Sequence, residues 1–260
     1  MTSQPGRPAS PFGARLRRWR DHRGLSQLSL AAMAGSTARH ISFLETGRSR
    51  PSRQMVLRLS DVLRVGLRGA NELLHAAGLP AAYGNADLAS PDLAPYRAAI
   101  ERLLNAHEPY PAMVLDARFT VVFANRACAA LFGPQVVGSN FVRDGLADPA
   151  VVNWGEVAWA GLDRLRQQAR QAPFDEELHS LIATAEAAIA GVSRPPPAEA
   201  GLTVCPWFRV GGQVVRTIAM VARFDHIGDV TLDELRVELM YPLDADAERF
   251  FRTRHGPRPS

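Results

Sequence analysis

Lysine is absent from the 260-residue chain, so all thirty basic side chains are arginine. Only two cysteines, Cys128 and Cys205, are present, which excludes a disulfide framework and a thiol-rich metal site. No apolar run approaches the roughly 18–20 residues that span a bilayer. Residues 1–12 are rich in Pro, Ser and Gly and lack the apolar stretch of a secretory signal. These absences predict a cytoplasmic protein with no membrane partner.

Catalytic signatures are missing as well. The chain contains no GxSxG, HExxH or CxxC motif and no phosphate-binding glycine loop. Its seven histidines are scattered, with no pair at the spacing of metal ligands. We therefore expect no catalytic residue, no metal site and no cofactor, and the protein is not predicted to be an enzyme.

Charge is distributed unevenly along the chain. Residues 1–80 hold 13 arginines against 4 acidic residues, a net charge of +9, whereas residues 81–260 hold 17 arginines against 22 acidic residues, a net charge of −5. A basic first third joined to an acidic remainder favours a polyanion-binding N-terminal part and a body with another role. A basic surface that is merely solvated is the alternative at this point.

Short helical segments separated by tight turns occupy residues 12–78. The pattern predicts helices at about 12–22, 27–34, 37–45, 53–63 and 70–77, with Met55, Leu59 and Val62 on one face of the fourth. Ser26 and Ser36 are predicted N-caps, and Gly35 closes the second helix. The sequence thus predicts an all-α domain at 12–78, preceded by a disordered tail at 1–11 and followed by a linker at 79–94.

The pattern changes after the linker. A helix is predicted at 95–106, followed by a hairpin of strands at 112–115 and 119–124. Asn125 is predicted to cap a helix that ends at 132, and long amphipathic helices follow at 154–170 and 176–189. A second hairpin at 202–210 and 214–224 precedes a strand at 235–241 and a helix at 244–254. Residues 95–254 are therefore expected to form an α+β domain with helices packed on one antiparallel sheet, before a tail at 255–260.

The most specific pattern runs from Leu25 to Arg48 and predicts a helix-turn-helix. Ala31 is small enough to let two helices cross closely, and Gly35 tolerates the left-handed conformation of the turn. The second helix of the pair presents its N-terminal end, where base edges are met in the major groove. Arginines follow in the next turn, as expected for contacts to the DNA backbone. Phe43 is expected to be part of the core.

This stretch resembles the lambda-repressor-like (XRE) helix-turn-helix family over most of residues 12–78. The resemblance implies that Gln27 touches a phosphate and that Arg39 faces bases, where it suits a bidentate grip on guanine. A salt bridge along the helix face is the alternative for Arg39, and packing on the turn is the alternative for His40. The candidate DNA-binding residues are Gln27, Ser36, Thr37, Ala38, Arg39, His40, Ser42, Arg48, Arg50 and Arg53.

The second half resembles a PAS-type fold and, more narrowly, the MmyB-like ligand-binding domain that follows an XRE domain in many bacterial regulators. Residues 110–133, 153–158 and 229–238 carry this resemblance, whereas the Pro- and Ala-rich residues 187–200 depart from it. The resemblance implies a cavity for an apolar, fatty-acid-like molecule. Its candidate ligand-binding residues are Val122, Phe123, Asn125, Phe132, Trp154, Trp159, Phe208, Ile218 and Met220.

Each of these apolar residues has a plainer interpretation as core, and Asn125 as a helix cap. Arg126, Arg209 and Arg216 are candidate partners of a ligand carboxylate or ordinary surface residues. Glu156 and Glu238 are expected to form salt bridges.

Together these patterns predict a DNA-binding transcription regulator that acts as a homodimer on double-stranded DNA and senses a small apolar ligand. The alternative is a helix-turn-helix adaptor whose C-terminal domain binds a protein partner and no ligand. A cavity of several hundred Å³ would favour the sensor, and solid packing would favour the adaptor.

Overall fold

The computed structural model describes residues 10–144, 150–196, 205–225 and 228–255. The chain divides into two compact units. The first comprises Met1–Asn85 with the short pieces Arg170–Pro173 and Gly228–Val230, and the second comprises the remainder. Several predicted segments lie outside the described residues, namely 1–9 of the first tail, 256–260 of the last, 197–200 of the Pro-rich loop and 202–204 of a predicted strand.

The first unit is helical, as predicted. Its helices are α1 (Pro11–His22), α2 (Gln27–Met33), α3 (Ala38–Glu45), α4 (Arg53–Val62) and α5 (Leu67–Ala76). Ser26 caps α2 by accepting a hydrogen bond from the backbone of Ser29. The predicted cap of α3 was wrong by one residue, because the hydroxyl of Thr37, and not that of Ser36, accepts from the backbone N–H of His40.

A close-packed apolar core joins these helices. On α4 the buried apolar side chains are Val56 and Leu59, continued by Leu63. Of the three residues predicted to share a face, Leu59 is buried, and Met55 and Val62 are half-buried. The helices α1 and α3 meet at Gly13, where a Cβ atom would lie 2.3 Å from the carbonyl oxygen of Glu45. The other large buried side chains of this unit are Phe12, Leu16, Trp19, Leu30, Ile41, Leu44, Leu73 and Leu74.

Residues 79–94, the predicted linker, make specific hydrogen bonds. The side-chain oxygen of Asn71 accepts from the backbone of Ala82 and Tyr83 at 2.9 and 3.1 Å, and its amide donates to the carbonyl of Tyr83. Further along, the guanidinium of Arg97 donates to the carbonyls of Leu88 and Ser90. A one-turn helix, Pro91–Leu93, follows. The lack of sequence periodicity therefore did not mean a lack of fixed structure.

The remaining elements form an α+β arrangement, as predicted. In the part of the chain that the structure describes, five strands form one antiparallel sheet in the order β2-β1-β5-β4-β3. The strands are β1 (Ala112–Leu115), β2 (Val121–Ala124), β3 (Trp207–Val210), β4 (Gln213–Ala222) and β5 (Arg236–Pro242). The helices are α6 (Ala94–Ala106), α7 (Arg126–Phe132), α8 (Trp154–Ala169), α9 (Glu176–Ala188), α10 (Val230–Glu234) and α11 (Ala245–His255).

The central strand β5 is covered on both faces. Val237 packs with Ile100 and Leu104 of α6 in one cluster of buried residues. Successive side chains of a strand point to opposite faces, so Glu238 and Met240 lie on the other face, where residues of α8 surround them. The predicted last strand is confirmed. Its alternating side chains point in turn to the α6 side and to the α8 side of the sheet.

Candidate functional site

The α2–α3 pair has the local geometry that a helix-turn-helix requires. Ala31 is only 2% exposed, which is consistent with its predicted place at the helix crossing. Gly35 has φ +58°, the left-handed conformation that glycine adopts without a steric penalty. The backbone N–H of Ser36 donates to the carbonyl of Ala31 and closes the turn at 2.8 Å. The turn therefore fixes the direction in which α3 leaves α2.

The start of α3 presents consecutive candidate residues. Thr37 and Arg39 are exposed, whereas Ala38 and His40 are half-buried. The ring Nδ1 of His40 lies 3.1 Å from the hydroxyl of Ser36, and the two side chains form a hydrogen bond. This contact matches the alternative in which His40 packs on the turn. The helix end thus exposes one long cationic side chain, Arg39, beside small polar groups.

Phe43 lies between two arginines at this surface. The guanidinium carbons of Arg39 and Arg48 lie 5.2 and 5.8 Å from the centre of its ring, at cation–π distance. The ring is half-buried, so the prediction that it belongs to the core was only partly right. Sequence analysis missed its contact with both arginines, although the spacing of four residues from Arg39 to Phe43 is the signal of a shared helix face.

A buried carboxylate joins the first three helices. Glu45, 1% exposed at the end of α3, accepts hydrogen bonds from Arg20 at 2.6 Å, from Gln27 at 2.9 Å and from Arg17 at 3.2 Å. Burial by itself raises the pKa of Glu45, but the hydrogen bonds from these three side chains outweigh it, and the net effect is a lowered pKa. We call Glu45 with these three partners the Glu45 network.

Two of the candidate DNA contacts have other partners in the structure. Arg53, a predicted contact to the DNA backbone, donates from its terminal nitrogens to the carbonyls of Pro80 at 2.6 Å and Ala81 at 3.1 Å. The side-chain amide of Gln27 donates to Glu45. Arg48 and Arg50 are exposed and Ser42 is half-buried.

The second unit contains a cavity of about 170 Å³ between the sheet and α8. Its walls come from alternate residues of the sheet, from one face of α8 and from connecting segments. The sheet contributes Met113, Leu115, Ala219, Glu238 and Met240. Helix α8 contributes Val157, Ala160, Gly161, Arg164 and Leu165, and the connections contribute Phe119, Phe141, Val142 and Pro206.

An ion pair lies in this mostly apolar lining. The guanidinium of Arg164 donates to the carboxylate of Glu238 at 2.5 Å. Glu238 is 8% exposed, whereas the side chain of Arg164 is 43% exposed. The salt bridge predicted for Glu238 is confirmed.

None of the nine predicted ligand-binding residues lines this cavity. Val122 and Phe123 pack on the opposite face of the sheet, in the cluster with α6. Ile218 and Met220 alternate with the cavity residue Ala219 and are 36% and 60% exposed. The period-2 pattern identified strand residues correctly, but it does not say which face of a doubly covered sheet holds the cavity.

The other predicted residues have structural roles. Asn125 caps α7 by accepting from the backbone of Cys128 at 2.9 Å. Phe132 and Phe208 pack edge to face, with ring centres 5.2 Å apart. The indole N–H of Trp159 donates to the carbonyl of Val192. Trp154 begins α8 and is not among the cavity residues.

The cavity face of α8 was not predicted from the sequence. Val157, Gly161 and Arg164 recur at helical spacing, and the small side chains of Ala160 and Gly161 leave room beside the sheet. That spacing was available in the sequence. The sequence does not show which strands pair, and it is this pairing that places Glu238 of β5 opposite Arg164 of α8. The candidate carboxylate partners Arg126, Arg209 and Arg216 are absent from this lining, and all three are exposed.

The described ranges hold no group of three or more His, Cys, Asp or Glu residues placed to bind a metal ion. Cys128 is buried, and burial raises the pKa of its thiol to about 12. No helix in these ranges has the length and apolar character needed to cross a membrane.

Two family models match this chain. A family model described as a helix-turn-helix matches residues 16–69. A second model, described as the MmyB-like transcription regulator ligand binding domain, matches residues 96–253, which is more than half of the chain. A search of curated proteins found no match.

Proposed function

Because this chain belongs to the MmyB-like transcription regulators, we propose that it binds a specific operator as a homodimer and senses an apolar, fatty-acid-like molecule. The two matched domains support a ligand-responsive transcription regulator. The operator contacts, the dimer and the fatty-acid-like chemistry are the parts that we propose. On this proposal the protein acts in the cytoplasm and catalyses no reaction.

The observation that carries the DNA-binding part is the exposed start of α3. Arg39 and Thr37 project there from a turn that Gly35 fixes, and Arg48 and Arg50 are exposed beyond the end of the helix. An arginine at the N-terminal end of a recognition helix can donate two hydrogen bonds to guanine in the major groove. Exposed arginines next to that helix suit the flanking phosphates.

The small size of this surface supports the proposed dimer. α3 has only eight residues, so its exposed end can contact few base pairs. A two-fold repeat of the contact supplies the missing specificity and favours a palindromic operator whose half-sites lie about one helical turn apart.

The cavity supports the sensing part. Its lining is mostly apolar, with one ion pair, which is the usual composition of a small-molecule site. We propose that an alkyl chain lies among the apolar residues, and that its binding changes DNA affinity only through unequal affinity for two states of the protein.

Two measurements on the full-length protein test this function. Selection from randomised duplex DNA should return a palindrome. Native mass spectrometry, run intact and after denaturation, should show a dimer with a releasable mass in the fatty-acid range. Selection without any sequence preference would contradict operator binding, and a monomer bound to one half-site would contradict the dimer.

One observation favours a second candidate function. The cavity of about 170 Å³ is smaller than the roughly 300–1,000 Å³ of typical ligand pockets. An adaptor whose C-terminal domain binds a protein partner would need no cavity. A dimer that carries no small molecule and binds no alkyl probe would favour this adaptor.

A further inference from the structure

We propose that the cavity selects a neutral amphiphile, whose polar end both donates and accepts hydrogen bonds, over the corresponding carboxylic acid. This inference rests on the proposed function, because it takes the cavity beside α8 as the sensing site. It refines the chemistry of the ligand: the alkyl chain resembles that of a fatty acid, but the polar end is uncharged.

The cavity already contains one positive and one negative charge. Of the described residues that line it, Arg164 and Glu238 are the charged ones, and they pair with each other at 2.5 Å. The site therefore holds one cation and its counter-ion before any ligand arrives. No net positive charge is left in the lining to attract an anion.

A carboxylate ligand would disturb this balance. At the guanidinium nitrogen of Arg164 that lies in the ion pair, the ligand carboxylate would lie beside Glu238, which is more than nine-tenths buried. Two carboxylates beside one guanidinium in a mostly apolar space repel each other, and a buried charge that loses its partner is strongly destabilised. An anionic head group is therefore disfavoured, even though an arginine is present.

A neutral polar end meets both members of the pair. A primary amide can donate its N–H to the carboxylate of Glu238 and accept at its carbonyl from Arg164, because a carboxylate accepts several hydrogen bonds and a guanidinium carries five N–H groups. The ion pair then stays intact. The alkyl chain is left to the apolar lining, including Met113, Leu115, Leu165 and Met240.

The test compares two probes of equal length on the full-length protein by isothermal titration calorimetry at pH 7.5. Decanamide and decanoic acid differ in the polar end and share the chain. We expect decanamide to bind about tenfold more tightly than decanoate, since hydrogen bonds to charged groups and like-charge repulsion are each of this order.

Removing the negative charge of Glu238 is expected to favour the carboxylate probe. Glu238→Gln leaves Arg164 without its counter-ion, so decanoate should bind about tenfold more tightly than it does to the wild type. Decanamide should change by less than about threefold, because a glutamine oxygen still accepts a hydrogen bond. Glu101→Gln makes the same chemical change at an exposed site on α6 and should alter neither affinity.

The outcomes separate this inference from the function on which it rests. Equal or tighter binding of decanoate to the wild type overturns the inference and leaves the sensor standing. That wild-type comparison decides the question even if Glu238→Gln does not fold. Binding of neither probe, with no releasable mass in native mass spectrometry, overturns the sensing site itself.

Discussion

Arg39 and Arg48 flank the ring of Phe43, yet we expect them to contribute differently to DNA binding. Arg39 lies near the start of α3, where base edges are met, so Arg39→Ala should relax the preference at one base pair by about 1–3 kcal/mol. Arg48→Ala should weaken binding to all sequences alike. It should also reduce the slope of the logarithm of the binding constant against the logarithm of the salt concentration by about one, because one phosphate contact is lost. Binding to a panel of single-base operator variants at several salt concentrations measures both effects.

A uniform loss from both substitutions would contradict this division of roles. Arg126→Ala is a matched control, because that arginine is exposed on α7 in the other unit. It should leave both the base preference and the salt slope unchanged.

Glu45 is the residue on which the first three helices depend. Replacing it with glutamine removes the buried carboxylate that accepts from Arg20, Arg17 and Gln27. Arg20 keeps its exposed partner Asp21 at 2.7 Å, so we expect a loss of about 2 kcal/mol in the free energy of unfolding. Glu72→Gln, which removes an exposed ion pair with Arg15, should cost less than about 1 kcal/mol. Urea denaturation of the three proteins at pH 7 gives the comparison.

The lowered pKa of Glu45 also sets the direction of a pH effect. A carboxyl whose pKa is lower in the folded state than its ordinary value of 4.5 stabilises the fold fully above that value. The contribution disappears as the pH falls through the lowered pKa. The difference in unfolding free energy between wild type and Glu45→Gln should therefore shrink below about pH 4.5. A difference that stays constant into the acid range would contradict the network.

At the scale of elements, the crossing of α1 and α3 depends on Gly13. Alanine within a helix is ordinarily more favourable than glycine by about 0.5–1 kcal/mol. Here an added Cβ would meet backbone oxygens of Leu44 and Glu45 at 2.6 and 2.3 Å, so the helices must move apart. We expect Gly13→Ala to destabilise the protein by about 1–3 kcal/mol, measured as a fall in unfolding free energy.

The control for this prediction is Gly66→Ala. No atom lies within 4 Å of a Cβ added there, and Gly66 precedes α5 with an extended backbone. It should cost less than about 1 kcal/mol. Similar losses from both substitutions would mean that the replacement of glycine in general, and not the close approach at the crossing, decides the effect.

The elements themselves were largely predictable from sequence. Hydrophobic spacing and turn glycines predicted the five N-terminal helices, and β-branched runs around the glycine pair predicted the second hairpin. The predictions were less accurate for helix N-caps and for the buried face of a helix or strand, because neighbouring residues of similar type can occupy the same position. Ser36 and Thr37 are equally good caps by type, and only the placement of the chain assigns the hydrogen bond to Thr37.

The cavity was the least predictable feature. Its lining depends on which strand pairs with which, and the strand order brings Glu238 of β5 next to the distant β1 and β4. These are long-range pairings that local patterns do not contain. The sequence therefore predicted which residues are apolar, but not that Val122 faces α6 while Ala219 faces the cavity.

At the scale of the whole molecule, the proposed dimer makes a geometric prediction. Inserting five base pairs between the half-sites of the selected palindrome turns one half-site by about half a helical turn. Two joined protomers can then no longer contact both half-sites on the same side of the DNA. Affinity should fall to that of a single half-site, measured by fluorescence anisotropy. Equal affinity for the two operators would contradict dimeric binding.

The position of Glu45 has a consequence for engineering and for divergence among related regulators. The network that fixes α3 contacts its last residue, whereas the exposed candidate contacts lie at its first turn. Anchoring and recognition are thus separated by about two turns of one helix. Thr37 caps the helix and His40 contacts Ser36, so Ala38 and Arg39 are the positions of this turn that carry neither contact. On the proposed function, we expect exchanges at these two positions to change operator preference with little loss of stability.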